Sequence, residues 1–380
     1  MRVATAPRPR TVIGVRPDVQ MLDRTSLWRG CARYRCGAAG SVDLVSVRWL
    51  RNLALSVAAV TVAGCGGSPG RVGPPPPAAW VVLRHLPGVV DLAGPRSDGS
   101  FLVAAAGRLL VLGRDGTLSP FARGAGGYLT ATRTEPYLVL TSSDQVRGTR
   151  CSFGNDMAFA IEPGARPGVI MISGQGQARR FASLPPGRSL SGIAFDATGR
   201  FGHRLLVAAG SGGRTTVFGI GCDGRVSTVA AGAPAMEGGM VVAPARFGSF
   251  GGDLIAPDEA SGRVYAVDPS GKVVTMVRSG LPVGGDIGVE SAGFVPPRAS
   301  GVYLADRFSA GNRHPGDNAI LQLSAAELAR AGIRAGDLLV ATEGGARTID
   351  VRCAATCTVL YVAAGPAIAH AEGHIVFVSS

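Results

Sequence analysis

The chain has 380 residues, 46% of them hydrophobic and 17% charged, and it carries a net charge of +12. Ten arginines and three aspartates lie within the first 51 residues, so seven of the twelve net positive charges belong to that segment. The remaining chain is weakly basic and its arginines are evenly spread, which argues against a nucleic-acid surface.

Residues 1–64 are predicted to be a leader that ends in a signal peptide. Arg48 and Arg51 precede an apolar run, residues 53–63, that is too short to span a bilayer but suits a secretory signal. The stretch VAGC, residues 62–65, resembles the lipobox of bacterial lipoproteins. That resemblance implies cleavage before Cys65 and a lipid on its sulfur. We therefore expect an exported protein, anchored through Cys65 at the extracytoplasmic face of the cell membrane.

Residues 65–79 are rich in glycine and proline, which predicts a tether between the lipid and a folded domain, residues 80–380. Four cysteines follow Cys65, and an even number in an exported chain suggests two disulfides with three connectivities open. The preferred pairing joins Cys151 with Cys222 and Cys353 with Cys357. A zinc site is the alternative, but no CxxC spacing supports it.

Short β runs between glycine-rich turns dominate the domain and predict an all-β fold. Clear examples are FLVAAAG, RLLVLGRDG, RLLVAAG, TTVFGIG, DLIAPDE and RVYAVDP. One short helix is expected near residues 324–331, with Ser324 as N-cap, Glu327 completing a capping box and Gly332 as the stop.

An internal repeat sets the architecture. The four strands of residues 190–232 align with those of 236–280, and a third copy is expected to begin at VESAGFVPPRASGVYLADR. Units of this length with four strands indicate propeller blades, and the domain has room for six. To close the ring, AWVVLRHL near the start is expected to pair with HIVFVSS at the end.

The segment DLIAPDEASGRVYAVDPSGKV resembles the NHL-repeat and gluconolactonase-like families of six-bladed propellers. The resemblance implies architecture and leaves function open, because propellers host lactonases, phosphatases, dehydrogenases and binding modules.

Glutamates precede several first strands, which line the central channel of a propeller. Glu237, Glu290 and Glu372 occupy one repeat position, and Glu135 is a fourth candidate. Converging carboxylates repel one another unless a cation neutralises them, which favours a bound divalent ion, Ca²⁺ being the best match for oxygen ligands. The alternative is that each glutamate accepts backbone N–H bonds from a neighbouring blade and staples the ring.

Two further clusters accompany the glutamates. His370 and His374 flank Glu372, but on a straight strand they would lie roughly 13 Å apart and could share one ion only if the segment is bent. Glu372 with one of the two histidines is therefore the candidate ligand pair, and the alternative is that both histidines are polar groups in a wet channel mouth. The polar segment after the predicted strand GVYLADR offers Asp306, Arg307, His314 and Asp317 as a ligand loop. A solvated insertion is the alternative for this loop.

Two functional classes remain. The first is a binding module whose loops meet a carbohydrate, a peptide or an envelope protein. The second is a metal-dependent hydrolase of the lactonase or phosphoesterase type, with the ion as Lewis acid. Gluconolactonase-like enzymes use carboxylate and asparagine ligands, whereas this sequence has Ser191 at the repeat position of Glu237 and few asparagines. This departure favours binding over catalysis, and no catalytic residue is assigned.

Overall fold

The structure is a computed structural model that describes residues 78–123 and 136–379. The leader, Cys65, most of the tether and Glu135 lie outside the described residues. Strand pairing begins with β1 (Ala78–Ala79) and β2 (Val81–His85), so the first strand starts two residues before the predicted domain boundary. No described helix is both long and apolar enough to cross a bilayer.

The first two blades are antiparallel sheets of four consecutive strands. Valine, leucine and isoleucine fill these strands and glycine turns separate them, so neighbouring hairpins form locally. The first blade contains β3 (Val89–Ala93), β4 (Phe101–Ala105), β5 (Arg108–Leu112) and β6 (Leu118–Arg123). The second contains β7 (Leu138–Leu140), β8 (Ala158–Glu162), β9 (Gly168–Ile172) and β10 (Ala178–Ser183).

The two aligned repeats form the third and fourth blades, as predicted. The third contains β11 (Ser189–Phe195), β12 (Leu205–Ser211), β13 (Arg214–Ile220) and β14 (Val226–Ala233). The fourth contains β15 (Val241–Val242), β16 (Leu254–Asp258), β17 (Arg263–Val267) and β18 (Val273–Arg278). A 3₁₀ turn, Gly248–Phe250, separates β15 from β16.

The last two blades are interleaved in sequence. They use the strands β19 (Val289–Phe294), β20 (Ala299–Asp306), β21 (Ala319–Ser324), β22 (Leu338–Thr342), β23 (Thr348–Cys353), β24 (Cys357–Ala364) and β25 (Ala371–Ser379). The fifth blade has the order β19-β22-β23-β24, with β1 added in parallel, and the sixth has the order β25-β20-β21-β2. The third repeat copy was therefore wrongly assigned to one blade, because β19 and β20 belong to different sheets.

Six sheets in all confirm the predicted six-bladed propeller. β2 and β25 share the sixth blade and so close the ring, but their predicted direct pairing is wrong: β2 pairs with β21, and β25 pairs with β20. The hydrophobic core lies largely between neighbouring blades, where the faces of adjacent sheets pack together.

The helix α1 (Ala325–Arg330) is the predicted one. The hydroxyl group of Ser324 accepts a hydrogen bond from the backbone N–H of Glu327 at 3.2 Å. Glu327 does not complete the box, since its carboxylate accepts the backbone N–H of Ala79 instead. Glu327 of the helix thus holds Ala79, near the beginning of the described chain, in place.

Both preferred disulfides are confirmed. Cys151–Cys222 joins a loop of the second blade to the third, and Cys353–Cys357 closes the turn between β23 and β24. Their Cα atoms lie 6.0 and 4.0 Å apart, respectively.

Candidate functional site

The antiparallel blade geometry collects polar residues at one end of the channel, which we call the channel mouth. First strands begin there and second strands end there, so residues at the start of β19 and β25 meet residues that follow β16, β20 and β22. These residues are Glu290, Glu372, Glu259, Arg307 and Glu343.

Tyr137 joins two glutamates from different blades. Its hydroxyl group contacts Glu290 Oε1 closely and Glu372 Oε2 at 2.9 Å, and all three residues are buried. The hydroxyl group has one proton for two carboxylates. One of the two contacts therefore requires a further proton or a nearby cation.

Glu372 is fully buried but well supplied with positive partners. Arg307 Nη1 lies 2.9 Å and His370 Nε2 lies 3.3 Å from Glu372 Oε1. Burial opposes the charged form, but the hydrogen bond from His370 and the charges of Arg307 and His370 outweigh it and lower the pKa of Glu372. Glu372 is therefore a carboxylate in this arrangement.

His370 holds Glu343 as well. Its Nε2 atom lies 2.8 Å from Glu343 Oε1. Burial disfavours the imidazolium ion, yet the hydrogen bonds to Glu343 and Glu372 raise the pKa of His370 to about 10. Burial and the neighbouring charges of Glu372 and Glu259 raise the pKa of Glu343 to about 8, although the bond from His370 opposes the shift.

Two groups of three side chains at the mouth have the spacing of metal ligands. One is Glu259, Glu290 and Glu343, and the other is Asp286, Glu343 and His370; within each group one ligand atom per residue lies within 4.8 Å of the others. Glu343 belongs to both, and its Oε2 atom is buried without a hydrogen-bond partner among the described residues. Three carboxylates suit a hard cation such as Ca²⁺.

His374 lies away from this cluster. Its Nδ1 atom lies 3.0 Å from Asp91 Oδ2, and its Nε2 atom lies 2.9 Å from the carbonyl oxygen of Ile193. Both ring nitrogens are thus occupied by protein atoms, and neither is left for an ion.

Two buried aspartates accept backbone N–H groups from residues distant in the sequence. Asp91 accepts the backbone N–H groups of Leu138 and His374, at 2.7 Å each, and so ties the first blade to the second and sixth. Asp306 accepts the N–H of His370 at 2.8 Å and that of Asp317 at 3.2 Å. Burial raises the pKa of Asp306 to about 6.

The four residues of the predicted ligand loop lie in different surroundings. Arg307 reaches the mouth through Glu372, and the Nδ1 atom of His314 lies 2.7 Å from the carbonyl oxygen of Ala367. Asp317 instead lies at the outer strand of the blade, where its carboxylate is 3.6 Å from His85 Nδ1. Of the four loop residues, Arg307 is the one in contact with the glutamate cluster.

Glu237 is half-buried beside the same cluster. The following residue, Gly238, has φ +76°, and a side chain there would lie 2.3 Å from Glu290 Cγ. The segment that carries Glu237 therefore packs directly on Glu290. Glu237 and Glu372 belong to neither three-residue group, and Glu135 lies outside the described residues.

Sequence reasoning missed Glu343, Asp286, Tyr137 and the role of Glu259. A signal was present, because Glu259, Arg307 and Glu343 each follow a second strand directly or by one residue. The interleaving of the last two blades hid the equivalence of Glu343, since β22 lies far along the chain from β19.

Comparisons with known proteins assign neither a family nor an activity to the chain. No protein-family model and no curated protein matches the sequence. Among solved structures, virginiamycin B lyase from Staphylococcus aureus is 11% identical, with 73% of this chain and 87% of that chain covered and a TM-score of 0.40. A gluconolactonase from Xanthomonas campestris is 13% identical, with 65% and 89% covered and a TM-score of 0.34. At these values the similarity concerns the propeller fold alone.

Proposed function

We propose that the protein is an exported, lipid-anchored propeller that binds a divalent cation at the channel mouth and, through the cation, an oxygen-rich envelope ligand such as a carbohydrate. The observation that carries the proposal is Glu343, whose Oε2 atom is buried without a partner among the described residues and which lies close to Glu259 and Glu290. A buried carboxylate oxygen without a donor is costly, so Glu343 retains a proton near neutral pH unless a cation takes its place.

The charge at the mouth supports a cation. At least five acidic side chains, Glu259, Asp286, Glu290, Glu343 and Glu372, face the basic side chains of Arg307 and His370. Burial raises the pKa of Glu259, as it raises that of Glu343. A bound Ca²⁺ would replace the protons that these carboxyl groups otherwise retain.

The cluster is also open to a ligand. Asp286 is exposed, and its backbone N–H donates to Glu259 Oε2 at 2.9 Å, so the carboxylates lie directly below the surface. Ca²⁺ takes six to eight oxygen ligands, which leaves positions for ligand hydroxyl or carboxylate groups beyond the three glutamates.

Binding is favoured over the hydrolase alternative. In a hydrolase a histidine or a carboxylate would accept a proton from water, and at the mouth the Nε2 atom of His370 is already engaged by Glu343 and Glu372. With its pKa raised to about 10, His370 is a proton donor near neutral pH and serves as an ion-pair partner of Glu343 and Glu372.

Calorimetric titration of the full-length protein in detergent tests the cation site. Extracellular Ca²⁺ modules bind with dissociation constants of about 0.1 to 1 mM, and we expect a value in this range. Glu343→Gln should weaken binding at least tenfold, because it removes the shared ligand. Glu162→Gln, on β8 of the second blade, is the matched control and should bind like the parent. Equal affinity in the two variants would refute the site.

The anchor has a separate test. Cys65 lies outside the described residues, and the first described residue, Ala78, pairs with Ala363 on the outermost regular strand of the fifth blade. A short tether from Cys65 would thus meet the rim of the propeller. We expect Cys65→Ala to move the protein from the membrane fraction to the soluble exported fraction. Unchanged membrane partitioning of the variant would contradict lipid anchoring and leave the cation site untouched.

A further inference from the structure

The other end of the channel holds a second compartment, which we call the lower cavity. It has a volume of about 470 Å³, within the range of small-molecule sites. The first strands of all six blades contribute to its wall, with residues that include Leu140, Val241, Val242, Phe294 and Phe377. Most of the lining is aliphatic or aromatic.

The protein itself separates this cavity from the channel mouth. A side chain at Gly239 would lie 2.2 Å from the carbonyl oxygen of Gly373, so segments of the fourth and sixth blades touch across the channel. Beside them, the ring of His374 spans from Asp91 to the carbonyl oxygen of Ile193. The lower cavity is therefore distinct from the glutamate cluster.

The closed end of the cavity offers no strong site for a polar group. Both nitrogens of His374 have partners, and the oxygens of Asp91 accept the backbone N–H groups of Leu92, Leu138 and His374. A charged ligand group placed there would lose its hydration without gaining a partner.

The open end is polar but balanced in charge. Arg96 is 17% exposed, and its Nη1 atom lies 3.5 Å from Asp98 Oδ2, while its guanidinium group stacks 5.3 Å from the ring centre of Phe121. Asp156 accepts hydrogen bonds from the backbone and hydroxyl groups of Ser97. Arg96 Nε is a buried donor without a hydrogen-bond partner among the described residues and is available to an acceptor atom of a ligand. The carboxylates of Asp98 and Asp156 balance the positive charge of Arg96, so the rim selects neither an anion nor a cation.

We propose that the lower cavity is a second binding site, for one compact, uncharged lipophilic molecule. An apolar occupant would remove the aliphatic and aromatic part of the wall from water, which favours its binding. The walls come from rigid central strands, which keeps the cavity formed before the ligand enters and lowers the entropic cost of binding.

Fluorescence titration with 1-aminoanthracene, an uncharged aromatic probe, tests the proposal on the full-length protein in detergent below its critical micelle concentration. We expect one saturable site per chain and a blue-shifted emission. Val241→Phe and Leu140→Phe, from different blades, each fill part of the cavity and should weaken binding at least tenfold. Val283→Phe is the matched control, because Val283 is 53% exposed, and it should bind like the parent.

Two further measurements keep the result unambiguous. Melting temperatures show whether Val241→Phe or Leu140→Phe is unfolded. If one of them is unfolded, the affinity of the other for the probe decides the test. Glu343→Gln should bind the probe normally, which separates this site from the cation site. An anionic probe, 1-anilinonaphthalene-8-sulfonate, should bind more weakly than 1-aminoanthracene. Unchanged binding in a folded filling variant, or tighter binding of the anion, would overturn the proposal.

Discussion

Tyr137 holds two glutamates of different blades with a single hydroxyl group. Glu290 comes from the fifth blade and Glu372 from the sixth, whereas Tyr137 precedes the inner strand of the second. The three side chains therefore link blades that are far apart in sequence. Removing the hydroxyl group would leave two buried carboxyl groups with fewer hydrogen bonds.

Tyr137→Phe is therefore expected to lower the free energy of unfolding by about 1 to 3 kcal/mol. Denaturant unfolding in the presence of a chelator measures the effect. Tyr361→Phe is the matched control, because Tyr361 is 38% exposed on β24, and its effect should be within about 0.5 kcal/mol of zero. Saturating Ca²⁺ should reduce the loss of unfolding free energy that Tyr137→Phe causes. Equal stability of the two variants would contradict the bridging role.

The two disulfides differ in how strongly they constrain the unfolded chain. Cys151 and Cys222 are 71 positions apart and connect two blades, whereas Cys353 and Cys357 are 4 positions apart within one hairpin. Closing a longer loop removes more conformational entropy from the unfolded chain. The inter-blade disulfide should therefore contribute more to stability than the hairpin disulfide.

Replacing each pair by serine tests this difference. The chain-entropy relation gives about 4 kcal/mol for the long loop and about 2 kcal/mol for the short one. The double variant Cys151→Ser with Cys222→Ser should accordingly unfold at lower denaturant than Cys353→Ser with Cys357→Ser. An equal or reversed order in the unfolding midpoints would show that strain or residual structure in the unfolded state dominates.

Much of the six-bladed architecture was predictable, because the local sequence patterns indicate the same strands and turns that the propeller contains. The strands of the third and fourth blades and the helix start at Ser324 follow from alternation and turn residues, and the preferred one of three possible cysteine pairings is the one observed. The first-strand glutamates Glu290 and Glu372 were found for the same reason, since a repeat position in a propeller is also a position around the axis.

The strand order of the last two blades and the partner of His374 depend on contacts between residues far apart in the sequence, which no local pattern predicts. β20 and β21 enter the sixth blade before β22 returns to the fifth, so the repeat register fails at that point and hides Glu343. His374 looked like a partner of Glu372, but the left-handed φ of +68° at Gly373 turns the strand, and His374 pairs with Asp91 instead. Asp91 and His374 are separated by 283 positions.

At the scale of the whole molecule, the ring produces two chemically different compartments in one channel. The mouth gathers carboxylates from strand ends, where loops tolerate polar residues, and the lower cavity is lined mainly by apolar residues toward the other ends of the inner strands. The interleaved fifth and sixth blades carry Glu290, Glu343 and Glu372 and also complete the ring. The two blades that close the ring thus also supply three glutamates of the channel mouth.

Anomalous diffraction from crystals grown with Mn²⁺ tests directly whether the channel mouth binds a divalent cation. Mn²⁺ can replace Ca²⁺ in this experiment because it also prefers oxygen ligands. We predict one strong anomalous peak per chain, within about 2.6 Å of carboxylate oxygens of Glu259, Glu290 and Glu343. The peak should disappear in Glu343→Gln crystals and persist in Glu162→Gln crystals. A map with no peak at the mouth at saturating Mn²⁺, or with the ion held elsewhere, would contradict the account.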